Sequence, residues 1–266
     1  MLRVQVDGAA LECRLLPEGG PHPGLRADRQ PLVFLHEGLG SLTQWRSFPE
    51  QLCRRSGRAG LAFARAGHGR SQPSPPRPAS HDSRTARYLH HQAMVVLPEI
   101  LVRFGVPDAV LVGHSDGASI ALIHAAQPAA TVSGLVLLAP HVMVEDCTVA
   151  GIATAGHSYH NTDLPHRLAR HHDHPDQLFR FWHDTWLSAD FRHWDIRDQL
   201  GSLARPTLLI QGLDDQYGTL AQLDAIEAAV TGPTTRVELA QCGHSPHLDQ
   251  PDATLDACTA CLASLP

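Results

Sequence analysis

The sequence lacks any uninterrupted apolar stretch long enough for a signal peptide or a membrane span. Its first twenty residues, MLRVQVDGAALECRLLPEGG, alternate apolar and polar side chains instead. Because secretion signals and transmembrane helices need a continuous apolar run, we expect neither. We therefore expect a cytoplasmic protein with no membrane partner.

Positive charge is not gathered into a cluster either. The 21 basic residues are scattered along the chain, and the formal net charge is −6 with neutral histidines. A surface that binds nucleic acid concentrates Lys and Arg in a patch or stripe. The distribution argues against a nucleic-acid partner and favours a small molecule.

Complete metal-ligand motifs and biased tracts long enough to indicate disorder are also missing. The CxxC of Cys258 and Cys261 stands alone, without the second ligand pair of a zinc site. Residues 171–174 (HHDH) are adjacent, so their side chains point in different directions, and we predict a solvated polar face there. We expect no metal. With 43% hydrophobic and 18% charged residues in 266, the chain reads as one globular domain with an embellishment.

Short apolar runs of strand length alternate with helix-like segments. This alternation predicts an α/β fold in which helices flank a mostly parallel central sheet of about eight strands. Residues 2–7 and 11–16 predict an antiparallel hairpin at one sheet edge. The apolar runs lie at 31–37, 60–67, 109–115, 134–140 and 206–212, and the helix-like segments begin near 45, 84, 118 and 220.

The strand pattern stops between residues 141 and 200. This segment is too long for a plain loop and is rich in aromatic residues, among them Trp182 and Trp186. We interpret residues 141–200 as a helical cap inserted into a core domain formed by 1–140 and 201–266. The aromatic residues either form an apolar pocket or only hold the cap together. Residues 72–80, rich in proline, predict an extended surface loop.

Residues Gly113 to Gly117 (GHSDG) fit the G-x-S-x-G pattern between a predicted strand and a predicted helix. A turn this tight strains the residue at its apex and needs glycines beside it, because a Cβ there would clash. Ser115 would be exposed above the sheet at a helix N-terminus, where backbone N–H groups favour a developing anion. This context makes Ser115 a candidate nucleophile.

A serine hydroxyl needs a base and an orienting acid. Candidate acids follow the later strands, and candidate histidines follow the last predicted strand. The order Ser, Asp, His along the chain is the order known for this type of site. The acid candidates are Asp214, Asp215, Glu145 and Asp146, and the histidine candidates are His244 and His247.

The chain resembles the α/β-hydrolase superfamily from end to end. Five motifs carry this resemblance in order: LHEGLGS at 35–41, RAGHGRS at 65–71, GHSDG, QGLDDQYG after 210 and GHSPHLDQP after 242. The family pattern implies a Ser115–His244–Asp215 triad and no cofactor. It also implies an oxyanion hole formed by the backbone N–H groups of Gly38 and Asp116.

One residue departs from the family pattern: Glu37 stands where glycine is common. It either pairs with Arg65 or another loop arginine, or gives the pocket a negative charge that disfavours anionic acyl groups. For Asp116, the helix dipole accounts for an acid in the first turn. The candidate pocket residues are Glu37, Leu39, His141, Trp182 and Trp186.

The resemblance implies a hydrolase that cleaves an ester-like bond of a small, largely neutral substrate through an acyl-enzyme. Members of this fold share the triad across many reactions, so alternatives stay open. They are hydrolysis of a carbon–carbon bond in ring-fission products, lactone or thioester hydrolysis, and a ligand receptor without turnover. We expect a monomer or homodimer.

Overall fold

The computed structural model describes residues 1–18, 29–75 and 87–265. Eight strands form one sheet in the order β1-β2-β4-β3-β5-β6-β7-β8. The predicted sheet of about eight mostly parallel strands is confirmed. The strands are β1 (Leu2–Val6), β2 (Ala9–Leu16), β3 (Leu32–Leu35), β4 (Gly60–Phe63), β5 (Ala109–His114), β6 (Val132–Leu138), β7 (Thr207–Gly212) and β8 (Thr234–Leu239).

The N-terminal hairpin forms at the sheet edge, as expected. Its turn consists of Asp7 and Gly8, both with positive φ (52° and 79°), which is the backbone of the two-residue turns that match strand twist. β2 runs antiparallel to both β1 and β4, and the six strands β3 to β8 are mutually parallel.

The central strands are apolar on both faces because helices cover both sides of the sheet. Along β3, Val33 and Phe34 belong to two different core clusters, as expected for side chains that alternate across a strand. On the Phe34 side the sheet packs against α1 (Phe48–Ser56) and α10 (Pro251–Ala263). The Val33 side is covered by α2 (Tyr88–His91), α3 (Leu97–Arg103), α4 (Asp116–Ala125) and α8 (Ala221–Ala229), with a π-helical turn at Gln92–Val96 joining α2 to α3.

The segment between β6 and β7 contains no strand in the structure. It holds α5 (Asp146–Asn161), α6 (Leu164–Ala169), α7 (Pro175–Trp186) and two 3-10 turns, Phe191–His193 and Arg197–Ser202. Its division from the core as a cap unit stays a prediction. The short helix α9 (Pro246–Asp249) precedes α10. Of the predicted loop at 72–80, residues 76–80 lie outside the described residues. No helix in the described ranges is long and apolar enough to cross a membrane.

Candidate active site

Ser115 lies at the turn between β5 and α4 with φ 54° and ψ −116°, a strained conformation for a residue with a side chain. The helix passes so close to the neighbouring strand that a Cβ on Gly117 would lie 1.9 Å from the Leu35 carbonyl oxygen. A Cβ on Gly113 would lie 2.5 Å from the Gly117 oxygen. The two glycines therefore permit the close packing that holds Ser115 at the apex.

Three side chains from separate loops meet at this point. His244 Nε2 lies 2.9 Å from Ser115 Oγ, and His244 Nδ1 lies 2.8 Å from Asp215 Oδ2. An ionised carboxylate can only accept hydrogen bonds, so Nδ1 carries the hydrogen and Nε2 is left to accept from the serine hydroxyl. This is the arrangement in which a histidine can act as a base toward serine.

Asp215 is the acid that the structure brings to the histidine. Burial alone would raise its pKa, but the charge and hydrogen bond of His244 and the Tyr217 N–H outweigh burial and hold the pKa below its usual value. The neighbouring Asp214 is exposed. Gly212 permits this geometry, since a Cβ there would lie 2.2 Å from the Cys242 oxygen in the histidine loop.

The other acid and histidine candidates lie elsewhere. Glu145 lies at the start of α5, where it accepts hydrogen bonds from Thr219 and Gln222. The Asp146 side chain is exposed and pairs with Arg192. His247 is buried against Trp45, with ring centroids 4.9 Å apart; burial lowers its pKa to about 3.

Two residues that orient the triad were missed in the sequence. Gln211 Nε2 donates to Asp215 Oδ2 at 2.7 Å, and His114 Nε2 lies 2.6 Å from the His244 carbonyl oxygen. Gln211 interrupts the otherwise apolar run of β7, which is a usable sequence signal. His114 carries no such signal, because the variable position of the GHSDG motif tolerates many residues.

Gly38 of the LHEGLGS loop lines the same cavity as Ser115, and Asp116 directly follows Ser115 as the first residue of α4; their role as an oxyanion hole stays a prediction. Arg65 fixes the loop by donating to the His36 carbonyl at 2.7 Å and the Glu37 carbonyl at 2.9 Å. A Cβ on Gly38 would lie 2.5 Å from Trp182 Cδ1 and Nε1, so the Trp182 ring fills the space of a side chain at this position.

The Asp116 side chain is buried within a hydrogen-bonded network that the sequence did not reveal. Its Oδ2 lies 3.3 Å from the Arg65 guanidinium and accepts from the Tyr88 hydroxyl at 2.7 Å. Trp186 Nε1 in α7 donates to the same Tyr88 oxygen at 2.9 Å. Burial raises the pKa of Asp116 despite Arg65 and Tyr88.

This network overturns the predicted ion pair between Glu37 and Arg65. Arg65 pairs with Asp116, because the elbow places that carboxylate directly beside the guanidinium. Within the described ranges Glu37 forms no ion pair, and its Oε2 is buried with no hydrogen-bond partner. Burial, the largest effect, raises the pKa of Glu37 to about 7.

The prediction of a solvated polar face at 171–174 is wrong for His172. It is buried; its Nδ1 accepts from the Gly69 N–H at 2.9 Å and its Nε2 donates to the Leu39 carbonyl at 2.9 Å. His172 thus joins the segment between β6 and β7 to the loops that follow β3 and β4. The isolated sequence run gave no sign of these distant partners.

A cavity of about 180 Å³ opens beside Ser115. All five predicted pocket residues line it, as do several that sequence reasoning missed. The lining residues are Glu37, Gly38, Leu39, Ser115, His141, Thr148, Ile152, Trp182, Trp186, Gln216, Tyr217, His244 and Ser245. Among the described residues, no group of His, Cys, Asp and Glu side chains is arranged to hold a metal ion.

Comparison with known sequences identifies a family. The sequence model described as "Alpha/beta hydrolase family" matches residues 32–257. The sn-1-specific diacylglycerol lipase ABHD11 of Danio rerio is 31% identical over 113 residues, which are 42% of this chain and 32% of that protein. The chain therefore spans about a third of the length of the curated relative that it matches.

Solved structures show the same fold. A hydrolase from Pseudomonas aeruginosa matches with a TM-score of 0.70 at 23% identity, over 99% of this chain and 98% of that one. The enol-lactonase from Burkholderia xenovorans matches with a TM-score of 0.73 at 20% identity, over 99% and 100% of the two chains. With a family model that spans most of its length and a fold shared throughout, this chain belongs to the alpha/beta hydrolase family.

Proposed function

We propose that the protein is a serine hydrolase that cleaves an ester-type bond in a small substrate without negative charge. The observation that carries this proposal is the hydrogen-bonded series Asp215–His244–Ser115, with contacts of 2.8 and 2.9 Å, at the wall of a cavity. A nucleophile, a base and an orienting acid in this geometry are the parts that acyl transfer requires.

In the first half of the reaction, Ser115 Oγ attacks the ester carbonyl carbon while His244 Nε2 takes the hydroxyl proton. Asp215 stabilises the imidazolium that forms. The N–H groups of Gly38 and Asp116 stabilise the oxyanion of the tetrahedral intermediate. The intermediate then collapses, the ester C–O bond breaks, and the departing alcohol takes the proton from His244.

In the second half, water attacks the acyl group on Ser115 and gives a proton to His244. The second tetrahedral intermediate releases the acid, and the proton returns to Ser115 Oγ. The enzyme ends each cycle in its starting form. In this proposal the steps use side chains and backbone groups of this chain, with water as the second reactant.

The cavity favours a small substrate without negative charge. Its volume of about 180 Å³ is below the roughly 300–1,000 Å³ of pockets for drug-sized ligands. Glu37 is the only carboxyl side chain among the lining residues, and none of them is Lys or Arg, so an anionic acyl group would find no cationic partner. The partial match to a relative named as a diacylglycerol lipase supports an uncharged ester.

The test has two parts. A fluorophosphonate should label Ser115 in the folded protein, and labelling should disappear on unfolding; mass spectrometry locates the adduct. Short carboxyl esters should be turned over in a panel that also contains a lactone, a thioester and a vinylogous diketone, with Ser115→Ala as the blank.

Each outcome separates the proposal from its alternatives. Preferred cleavage of the lactone, thioester or diketone would replace the ester assignment while keeping Ser115 as nucleophile. Labelling at another residue, or none in the folded protein, would refute the nucleophile. Tight ligand binding without turnover of any panel member would indicate a receptor.

A further inference from the structure

We propose that the cavity beside Ser115 binds a substituted ammonium group of the substrate, with Glu37 as its anionic partner and the Trp182 and Tyr217 rings as its walls. This inference rests on the proposed function for the bond that is cleaved. It goes further by assigning a positive charge to the molecule that carries that bond.

The charge of the cavity wall is the first observation. Glu37 contributes the only carboxyl group among the described lining residues, and no Lys or Arg offsets it. Burial lowers the pKa of His141, which also lines the cavity, to about 3, so its ring is neutral near pH 7. The only other histidine in the wall, His244, is already paired with Asp215. A ligand cation would therefore meet an uncompensated acid.

The second observation is that one carboxylate oxygen of Glu37 lacks a partner among the described residues. Its Oε2 is buried and accepts no hydrogen bond from the described residues. The nearby Arg65 is already used, since it pairs with Asp116 and donates to two loop carbonyls. A buried carboxylate without a partner is costly. A cation in the cavity would supply the interaction that the folded chain leaves unmade.

Aromatic rings supply the third observation. The Trp182 and Tyr217 rings both line the cavity and stand almost perpendicular, at 83° with centroids 6.2 Å apart. Rings at right angles turn their π faces in two different directions. A cation over an aromatic face is attracted by the negative face of the ring. Trp186 adds a third ring to the same lining.

Proton linkage follows from this arrangement. Burial raises the pKa of Glu37 to about 7; Asp116 acts in the same direction, whereas His244, Arg65 and the Leu39 N–H act against it. The Tyr217 phenol also faces Glu37, but its own pKa is raised, so it is neutral near pH 7. A bound cation favours the carboxylate. Its binding should release a proton below about pH 7 and should tighten as pH rises.

The experiment measures binding to full-length Ser115→Ala protein, which cannot form an acyl-enzyme. Calorimetry compares choline with its uncharged isostere 3,3-dimethylbutan-1-ol at pH 6 and pH 8. At pH 8 we expect choline to bind roughly tenfold more tightly than its uncharged isostere. At pH 6 this preference should be smaller. Titrations at pH 6 in two buffers of different ionisation enthalpy should reveal proton release with choline alone.

Variants assign the effect to Glu37. A Glu37→Gln change in the Ser115→Ala background should reduce the choline preference to the part that the aromatic rings supply and should abolish its pH dependence. Glu238→Gln removes a carboxylate from strand β8, outside the cavity lining, and should leave the preference intact. The proton-release titration uses the protein with Glu37 in place, so it decides the question even if Glu37→Gln does not fold.

Equal affinity for the two probes, no binding of either, or a preference that Glu37→Gln leaves undiminished would overturn the inference. None of these measurements requires turnover. A choline preference in a protein that no fluorophosphonate labels would refute the serine hydrolase and keep the cation site. Labelling of Ser115 without a choline preference would refute the cation site and keep the serine hydrolase.

Discussion

At the scale of single residues, several hydrogen bonds hold the Asp215 carboxylate. Oδ2 accepts from Gln211 and from His244, while Oδ1 accepts from the Tyr217 N–H at 2.8 Å and lies 3.0 Å from His244 Nδ1. The side chain is 1% exposed. Gln211 and the Tyr217 N–H therefore help His244 to fix the direction of this carboxylate. Asp214 is exposed, and no residue in the described ranges anchors its carboxylate in this way.

This difference predicts unequal effects of two adjacent substitutions. Asp215→Asn keeps the size of the side chain but places an NH₂ or a neutral oxygen against His244 Nδ1, which favours the wrong tautomer. We expect kcat to fall by roughly 10³–10⁴. Asp214→Asn should cost no more than about tenfold. Steady-state kinetics on the preferred ester of the panel, with circular dichroism to check folding, measures both.

A severe loss for Asp214→Asn with near-normal Asp215→Asn would reverse the assignment of the acid. Near-normal rates for both variants would direct the search to the loop after β6, where Glu145 and Asp146 lie.

At the scale of elements, a single hydroxyl joins three helices. Tyr88 from α2 donates to Asp116 at the start of α4 and accepts from Trp186 at the end of α7. Asp116 also provides one of the two proposed oxyanion N–H groups. The segment between β6 and β7 is thus connected by hydrogen bonds to the residue next to the nucleophile.

Removing this hydroxyl should destabilise the protein. Tyr88→Phe leaves the Trp186 N–H without an acceptor and takes one donor from a buried carboxylate, which costs about 1–3 kcal/mol in the free energy of unfolding. Tyr159→Phe is the matched control, because its hydroxyl bonds to Asp176 at an exposed site. Urea unfolding at pH 7.5 compares the two with the parent protein; equal stability would show that the network contributes nothing.

The elements themselves were largely predictable from the sequence, and their polar contacts were not. Continuous apolar runs bounded by glycine or proline located the central strands, and the GHSDG motif located the turn with Ser115. The partners of Arg65, Glu37 and His172 depend on where loops from distant parts of the chain meet. Contacts between distant loops leave no periodicity or spacing in the sequence. The predicted ion pair of Glu37 was therefore wrong, and the burial of His172 was missed.

At the scale of the whole molecule, buried histidines are numerous. The sequence has 19, and several are enclosed among loops around the site, where burial holds the pKa far below its usual value. Burial lowers the pKa of His172 to about 4 and that of His141 and His247 to about 3. His36, His68 and His114 are shifted in the same direction.

These shifts predict sensitivity to acid. Below about pH 6.5 the unfolded chain protonates these histidines and the folded chain does not, so the free energy of unfolding falls as pH falls. Each buried histidine contributes about 1.4 kcal/mol per pH unit well below pH 6.5. Glu37 acts oppositely between about pH 4.5 and 7, because its raised pKa lets the folded state hold a proton there.

Urea unfolding between pH 7.5 and 5 measures the effect. The stability loss per pH unit should be smaller in His247→Gln by an amount that approaches about 1.4 kcal/mol toward pH 5, whereas His160→Gln, at an exposed helix position, should keep the parent slope. A flat profile in the parent protein would contradict the buried, neutral state of these rings.

Gly38 and Trp182 occupy one shared volume, since the indole ring lies where a Cβ of residue 38 would point. Their substitutions should therefore compensate each other. Gly38→Ala alone should displace the ring, lower stability and reduce kcat, while Trp182→Ala alone should leave a void. In the double variant the new methyl enters the void, so the combined loss in unfolding free energy should be smaller than the sum of the single losses by about 0.5–3 kcal/mol. A double-mutant cycle by urea unfolding measures this difference, and strict additivity would show that the two positions are independent.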